Sequence, residues 1–295
     1  PCSMRLFATS PRMLDKGLKG FRQAMVHAMC VRKGRKMTNM RNSEGNDGQT
    51  TSSTVDESEI EKFARISQSW WDLDGPFKPL HALNPARLTY IRDELCNHFT
   101  MDARSLKPLT GLKILDIGCG GGLLCEPLSR MGADITGVDA AKENIQVASY
   151  HGEQMDLEIT YRHTTAEALV EEGAQFDAII NMEVIEHVAD VSTFLTACHS
   201  LLKPGGIMLV STLNRTFKSY LFAILGAEHI MRWLPKGTHD WDKFITPEEF
   251  SHALNEAGFE DISFKGLAFD LLHREWQIKT QDTEINYLGK ASKSH

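Results

Sequence analysis

The chain has 295 residues and a formal net charge of −7, with 24% charged and 42% hydrophobic residues. This length allows one large domain with extensions, and the acidic balance argues against nucleic acid as a partner. No apolar run approaches the roughly twenty residues that a membrane-spanning helix needs, and the six cysteines contain no Cys-x-x-Cys pair, which indicates free thiols in a reducing compartment.

The first two segments differ from the rest of the chain in composition. Residues 1–41 contain ten Lys and Arg residues but only one acidic residue, Asp15. This composition is typical of a mitochondrial transit peptide, with an ordinary basic tail as the alternative. Residues 42–58 are rich in Ser, Thr, Asn and Gly, so they predict a disordered linker.

Residues 59–108 predict a helical cap before the first strand, with helix over residues 59–99. Apolar side chains recur there at the spacing of one helix face, at Ile60, Phe63, Ile66 and Trp70. The adjacent Trp71 makes a tryptophan pair that either anchors the cap or contacts substrate. Arg87 could hold a carboxylate in fork geometry, or it is an ordinary surface arginine.

A short apolar strand at residues 114–117 runs directly into a loop of glycines, which are Gly118, Gly120, Gly121 and Gly122. A strand covered on both faces is apolar nearly throughout, and glycine lets a ligand approach the backbone closely. A second strand at residues 133–138 ends at Asp139. Rossmann-like units place an acidic side chain at this distance to bind ribose hydroxyls, so the pattern predicts a nucleoside-bearing cofactor.

The spacing of the glycines distinguishes two cofactor classes. Gly-x-Gly-Gly-Gly differs from the Gly-x-Gly-x-x-Gly of dinucleotide sites, and Asp116 stands where those sites usually carry an apolar residue. The sequence Asp-x-Gly-x-Gly instead resembles motif I of class I S-adenosylmethionine (SAM)-dependent methyltransferases.

Three later segments resemble the same family in order. Residues 164–167 resemble the loop that flanks the adenine, residues 176–182 the fourth strand, and residues 201–206 the turn into the fifth strand. The resemblance implies an α/β, Rossmann-like class I methyltransferase fold over residues 109–290. It implies a seven-stranded, mostly parallel sheet with helices on both faces, the N-terminal helical cap, and an insertion after strand 5 at about residues 214–245.

The segment after the fourth strand supplies candidate ligands. If its turn is helical, Glu183, Glu186 and His187 lie on one face at i, i+3 and i+4. Two carboxylates and an imidazole could hold a divalent ion, with Mg²⁺ expected from the oxygen ligands and Mn²⁺, Co²⁺ or Zn²⁺ left open by the histidine. The alternative is a metal-free site in which His187 is the general base.

The insertion contains apolar residues that could share a face, namely Phe217, Leu221, Ile224 and Leu225, with basic residues near its ends. Such a segment could lie in a membrane interface. It could equally be a lid packed on the protein's own active site.

Four segments resemble the ubiquinone-biosynthesis O-methyltransferase family more specifically, at residues 70–81, 84–88, 211–215 and 235–240. The resemblance covers roughly residues 56–288 and, with the basic N-terminal segment, points to the mitochondrial form. It implies methyl transfer from SAM to phenolic hydroxyls of polyprenylated catechol or quinol lipids, at two steps of ubiquinone (coenzyme Q) synthesis.

The resemblance also implies roles for individual residues. Arg87 would meet the SAM carboxylate, Gly118 the methionine end, Asp139 the ribose, and Met182 the region near the sulfur or adenine unless it only packs in the core. His187 and Glu183 would be catalytic, and the metal ligands would be Glu183, Glu186 and His187.

The family further implies peripheral association with the matrix side of the mitochondrial inner membrane, within a multi-enzyme coenzyme Q complex. Two other functions stay open. One is a soluble methyltransferase for another class of small molecule. The other is a SAM-binding scaffold subunit in a lipid-biosynthesis complex.

Overall fold

The computed structural model describes residues 67–216, 243–270, 273, 275–280 and 282–295. The predicted transit peptide and linker lie outside these residues. So do the start of the cap, most of the insertion, and the family-like segment at residues 235–240.

The elements are numbered here in chain order. The helices of the described residues are α1 (Lys78–His98), α2 (Cys125–Arg130), α3 (Lys142–Gln154), α4 (Ala166–Glu171), α5 (Val191–Leu201) and α6 (Pro247–Glu256). The strands are β1 (Lys113–Ile117), β2 (Asp134–Asp139), β3 (Thr160–His163), β4 (Phe176–Met182), β5 (Leu202–Leu213), β6 (Glu260–Asp270), β7 (Glu275–Lys279) and β8 (Asn286–Ser292). Single-turn 3₁₀ helices lie at Ser67–Ser69 and Ile185–His187.

The strands form one sheet in the order β3-β2-β1-β4-β5-β8-β6-β7. Strands β1 to β5 are parallel, whereas β8 runs antiparallel to both β5 and β6. The predicted mostly parallel α/β sheet is therefore confirmed. Its carboxyl edge at β1 and β4 is the point where the strand order reverses, which is where open α/β sheets bind ligands.

The strand count is eight in the described part of the chain, and the prediction of seven is wrong. Strand β6 continues beyond its pairing with β8, which ends at Gly266. Its last residues pair with the additional strand β7, from Gly266–Lys279 to Asp270–Glu275. The extra strand satisfies backbone hydrogen-bonding groups that would otherwise remain at the sheet edge.

Helices cover both faces of the sheet. On β1, Ile114 packs with α1, α2 and α3, whereas Leu115 and Ile117 pack with α4, α5 and α6. This division follows from the alternation of side chains along a strand. Each face has its own apolar cluster, which confirms the predicted three-layer arrangement.

Side-chain caps fix where α4, α5 and α6 begin. These helices cover the sheet face that contains Leu115 and Ile117. Thr165 caps α4, Asp190 caps α5, and Thr246 forms a capping box with Glu249 at the start of α6. Each cap satisfies a backbone N–H that has no partner within its helix. These starts position the loops at the carboxyl edge of the sheet.

The predicted continuous helix over residues 59–99 is wrong between Trp70 and Phe77. Turns occupy this segment, and α1 begins only at Lys78. Gly75 and Pro76 interrupt the helix there, while Pro79 is tolerated in the first turn of α1. We call residues 70–77 the strap. None of the helices in the described ranges has the length and apolarity to cross a membrane.

Candidate active site

The glycine loop after β1 folds back on the end of β2. The backbone N–H groups of Gly118 and Cys119 donate to the carbonyl of Val138 at 2.8 and 3.0 Å. Gly118 and Gly120 have φ values of 70° and 53°, in the left-handed region that favours glycine. The loop therefore needs glycine for its own backbone as well as for access by a ligand.

Asp139 closes onto this loop as the sequence predicts. Its Oδ2 accepts a hydrogen bond from the backbone N–H of Gly120 at 2.9 Å. Its Oδ1 accepts from the N–H of Ala141 at 2.8 Å and from Nδ2 of Asn144 at 3.1 Å. Burial raises the pKa of Asp139 despite these hydrogen bonds. The structure thus brings Asp139, the residue predicted to bind the ribose, to the glycine loop.

Trp70 covers the outer surface of that loop. Its Nε1 donates to Oδ1 of Asn144 at 2.8 Å, and its ring stacks on Phe77 at a centroid distance of 3.7 Å. A Cβ on either Gly120 or Gly121 would collide with the indole. Trp70 is only 7% exposed, so its contacts are those expected of an anchor for the cap.

Trp71 makes a second attachment. Its Nε1 donates to the carbonyl of Gly121 at 2.9 Å, and its ring stacks on His151 at 3.6 Å. His151 contacts the buried carboxylate of Glu126, which also binds Arg130 at 3.1 Å. The strap is therefore fixed both to the glycine loop and to α2 and α3.

Arg87 projects from α1 to the end of β4. Its guanidinium is buried, and Nη2 lies 2.8 Å from Oε1 of Glu183. This approach is an ionic contact without hydrogen-bond alignment, because neither Nε nor Nη2 of Arg87 has a hydrogen-bond partner among the described residues. A buried guanidinium with unused donors suits a carboxylate ligand.

Glu183 has an unusual backbone conformation at the carboxyl end of β4. Its φ is 58°, which is uncommon for a residue other than glycine. Its Oε1 accepts from Oγ of Ser211 at 2.7 Å. Strained residues of this kind cluster at functional sites, so the geometry agrees with a role for Glu183 in the site.

Glu186 is buried in the 3₁₀ turn that follows. Its Oε2 accepts from Oγ1 of Thr212 at 2.9 Å, whereas Oε1 has no hydrogen-bond partner in the described chain. Burial and the nearby Glu183 raise the pKa of Glu186, and His187 opposes that rise. His187 lies at the end of the same turn and is partly buried.

The predicted α-helical face for Glu183, Glu186 and His187 is wrong. Glu183 lies before the turn in a left-handed conformation, and Ile185–His187 is a 3₁₀ turn, so the i, i+3 and i+4 geometry does not form. Within the residues that the structure describes, no group of three or more His, Cys, Asp and Glu side chains is arranged to hold a metal ion.

Asp116 and Met182 lie near the carboxyl ends of β1 and β4, respectively. Asp116 is 2% exposed and accepts from Sγ of Cys125 at 3.1 Å. Burial raises the pKa of Asp116 to about 7. Met182 is buried in the cluster that α1 covers, so its packing is as extensive as that of a core residue.

Several functional contacts were not predicted from the sequence. They belong to Asn144 on α3, Val184 after β4, and Ser211 and Thr212 at the end of β5. Ser211 and Thr212 lie in a family-like segment, and that position was a usable signal. Val184 carried no such signal, because its partner Gly118 is far away in sequence. Asn144 lies only five residues from Asp139, but its other partner, Trp70, is 74 residues away.

The comparisons with known proteins agree with this geometry. A family model described as a methyltransferase domain matches residues 88–263. The ubiquinone biosynthesis O-methyltransferase of Roseobacter denitrificans is 54% identical over 245 residues, which cover 83% of this chain and 99% of the relative. The protein of the same name from Bartonella tribocorum is 53% identical over 244 residues, covering 83% and 98%.

A solved structure shares the fold. It is a SAM-dependent methyltransferase from Thermotoga maritima, described as a possible histamine N-methyltransferase, with a TM-score of 0.55 and 18% identity. The match covers 79% of this chain and 99% of that one. At this identity the likeness shows the fold alone.

Proposed function

The chain belongs to the family of ubiquinone biosynthesis O-methyltransferases, and we propose that it methylates phenolic hydroxyls of polyprenylated catechol or quinol intermediates at two steps of that pathway. It is a SAM-dependent O-methyltransferase. The structural observation that carries this function is the carboxylate of Asp139 on the backbone of Gly120, at the carboxyl edge of the sheet.

The chain's residues fit SAM at that edge. We propose that Asp139 binds the ribose and that Gly118 meets the methionine end. Arg87 has buried donor nitrogens available for the methionine carboxylate, and Met182 lies at the end of β4, where the family places the sulfur or adenine. Bound SAM supplies a methyl group already activated on a sulfonium. The protein must therefore align the acceptor oxygen and remove its proton.

We assign the proton transfer to the loop after β4. His187 is the general base for the phenolic proton, since an imidazole changes protonation near neutral pH. Glu183 is held by Arg87 and Ser211 and orients the acceptor hydroxyl. The unpartnered Oε1 of Glu186 offers a further buried acceptor in the same loop.

We further propose that the site binds a divalent ion, with Mg²⁺ as the first candidate. Two carboxylates and an imidazole suit such an ion chemically, and Oε1 of Glu186 is a buried oxygen that a cation would satisfy. Arg87 already pairs with Glu183, so the ligands are not preassembled. The bound ion would lower the pKa of the catechol hydroxyls. Metal dependence predicts that chelation abolishes transfer and added Mg²⁺ restores it. Undiminished transfer after chelation would leave His187 as a metal-free base.

We also propose that the protein acts in mitochondria, peripherally on the matrix side of the inner membrane, in a multi-enzyme coenzyme Q complex. The basic composition of residues 1–41 and a lipid substrate support this location. The insertion is the proposed membrane-contacting segment. Sedimentation with anionic liposomes should weaken in a Phe222→Asp, Leu225→Asp variant, and unchanged sedimentation would contradict this role.

A complementation experiment tests the biological function. Bacterial cells that lack their own ubiquinone O-methyltransferase should regain ubiquinone when they produce this chain, as measured by mass spectrometry of lipid extracts. Cells that produce the His187→Ala variant should accumulate the unmethylated intermediate. Rescue by that variant would favour a scaffold, and no rescue by the wild-type chain despite soluble production would favour a different acceptor class.

A further inference from the structure

Strand β7 lies at one end of the sheet. Among the residues that the structure describes, it pairs with β6 alone, from Gly266–Lys279 to Asp270–Glu275. An edge strand turns the N–H and C=O groups of alternate residues outward, where they can bind another strand. The outer side of β7 is therefore a surface for an extended segment, and its side chains determine which segment fits.

The side chains of β7 alternate between the two faces of the sheet. Trp276 and Ile278 are half-buried and pack against the apolar cluster under α1. The opposite face carries a polar row of Glu275, Gln277 and Lys279. In this row, Gln277 donates from Nε2 to Oε1 of Glu275 at 3.1 Å and accepts from Nζ of Lys279 at 2.8 Å. A strand that pairs with β7 thus meets an apolar pair on one face and two opposite charges on the other.

Strand β6 does not complement the charges at the two ends of the polar row. The β6 residue opposite Glu275 is Asp270, which has the same charge, and the one opposite Lys279 is Gly266. Like charges that face each other across antiparallel strands are unfavourable. Nδ1 of His273 lies 2.8 Å from Oδ2 of Asp270, so this imidazole offsets part of the repulsion. A strand on the outer side of β7 would supply the complementary charges if it carried them in the reverse order.

The sequence of β7 is complementary to itself when a second copy of the chain runs antiparallel to it. A two-fold axis beside Gln277 places Glu275 opposite the partner's Lys279 and Trp276 opposite the partner's Ile278. Symmetry repeats both contacts. Opposite charges and aromatic–β-branched pairs are both stabilising in these positions. Such a surface fits the isologous contact of a two-fold dimer.

The charges also select one register. A slip of the partner strand by two residues places either Glu275 or Lys279 opposite the partner's Gln277, and both ion pairs are lost. A slip by one residue moves the apolar side chains to the polar face. Charged side chains on an edge discourage pairing with unrelated strands. β7 is therefore specific for its own sequence in the opposite direction.

We infer that β7 binds β7 of a second copy of this chain in an antiparallel two-fold pair, with ion pairs between Glu275 and the partner's Lys279. A contact built on five residues per copy is far below the roughly 20–30 residues a side of a stable interface, so the dimer is reversible. Four inter-strand spacings, roughly 19 Å, separate β7 from β4. The glycine loop therefore lies outside the paired edge, and SAM binding does not depend on the dimer.

Charge reversal tests this pairing. Glu275→Lys puts lysine opposite lysine, and Lys279→Glu puts glutamate opposite glutamate. An equimolar mixture of these two variants restores both opposite-charge pairs in a heterodimer, and the double variant restores them in a homodimer. Sedimentation velocity on the full chain gives the dimer fraction at concentrations up to about 200 µM, a range suited to micromolar affinities. The control is Glu153→Lys, at an exposed position on α3.

We expect a reversible dimer for the wild-type protein and for Glu153→Lys, and association weaker by at least about tenfold for each single β7 variant. The mixture and the double variant should return to the wild-type dimer fraction, and SAM binding by every variant shows that each is folded. A monomeric wild-type protein would overturn the inference and indicate that another segment of the chain covers β7. A dimer that resists both charge reversals, or one that the mixture does not restore, would also overturn it.

Discussion

Trp70 donates a hydrogen bond from Nε1 to Oδ1 of Asn144 over 2.8 Å. The amide nitrogen of Asn144 in turn donates to Oδ1 of Asp139. The strap is therefore connected, through the side chain of Asn144, to the carboxylate of Asp139, for which we propose ribose binding. A change in the strap should be felt in cofactor affinity.

Trp70→Phe tests this connection, because phenylalanine keeps an aromatic ring beside Phe77 but removes the donor together with one ring of the indole; Trp71→Phe makes the same truncation. We expect the SAM dissociation constant to rise about fivefold, consistent with the loss of roughly 1 kcal/mol for one hydrogen bond. The KM for the acceptor should stay unchanged. Titration calorimetry with SAM measures the effect.

Trp71→Phe is the matched control for that variant. It removes an indole donor to the carbonyl of Gly121 but leaves the link between Asn144 and Asp139 intact. Its effect on SAM affinity should be clearly smaller. Equal weakening by the two substitutions would show that the strap acts through packing on the loop alone.

Glu183→Ala should leave the buried guanidinium of Arg87 without its counter-charge. Removal of one partner from a buried ion pair typically costs about 3–5 kcal/mol. The partial exposure of Glu183, 21% of its side chain, places the expected loss of unfolding free energy near the lower end, at about 3 kcal/mol. Urea unfolding measures this loss, and methyl transfer should also fall.

The double variant Arg87→Leu, Glu183→Leu separates stability from function. Replacing both charges by apolar groups should recover most of the unfolding free energy, because no buried charge is left unpaired. SAM binding should remain weak, since Arg87, the proposed partner of the SAM carboxylate, is gone. Recovery of SAM affinity together with stability would contradict the assignment of Arg87.

Asp116 should make stability depend on pH. Its folded pKa of about 7 lies above the ordinary carboxyl value of 3.8, because of burial. The folded state then holds a proton that the unfolded state releases, so the unfolding free energy falls as pH rises from about 4 to 7. The linkage amounts to about 4 kcal/mol. Asp116→Asn should flatten this profile in urea unfolding between pH 5 and 8. A wild-type profile as flat as that of the variant would refute the shift.

Glu94 should make the unfolding free energy depend on pH in the opposite direction to Asp116. It is buried on α1 and receives hydrogen-bonding contact from Nζ of Lys265 at 2.6 Å and ionic contact from Nζ of Lys290 at 3.0 Å. Burial raises its pKa, but the two lysines outweigh burial and the net pKa is lowered. Its stabilisation is present above the ordinary carboxyl pKa and is lost as pH falls through the lowered value.

Glu94→Gln should therefore reduce the unfolding free energy at pH 7 by about 1–2 kcal/mol, an effect limited by the partial exposure of both lysines. The difference from the wild-type protein should shrink in acid. Glu153→Gln, at an exposed position on α3, is the control and should have little effect. A constant difference at every pH would point to packing as the cause.

The local pattern of the sequence was sufficient to predict that the glycine loop and Asp139 lie together. The apolar strand, the glycines and Asp139 are close in sequence, and their spacing fixes their meeting at the carboxyl edge of a parallel sheet. Such patterns do not predict contacts between residues that are far apart in sequence. Nothing in the spacing of Trp70 shows that its indole reaches Asn144 on α3.

Besides the strand count, two predictions failed for identifiable local reasons. Helical periodicity was extended through Trp70 although Gly75 and Pro76 follow it, and the chain forms a strap there. The ligand prediction assumed an α-helical turn after β4, whereas Glu183 adopts a left-handed conformation that spacing alone does not reveal. Both failures concern segments at the site, where function and regular structure compete.

Methyl transfer itself is the most direct test of the proposed function. Purified protein is incubated with SAM labelled on its methyl group and a short-chain prenylated catechol, with and without added Mg²⁺, and the product is identified by mass spectrometry and NMR. One labelled methyl group is expected on a phenolic oxygen, and it should be lost in His187→Ala. Absence of any O-methylated product under both conditions, from folded protein that binds SAM, would contradict O-methyl transfer to this class of acceptor.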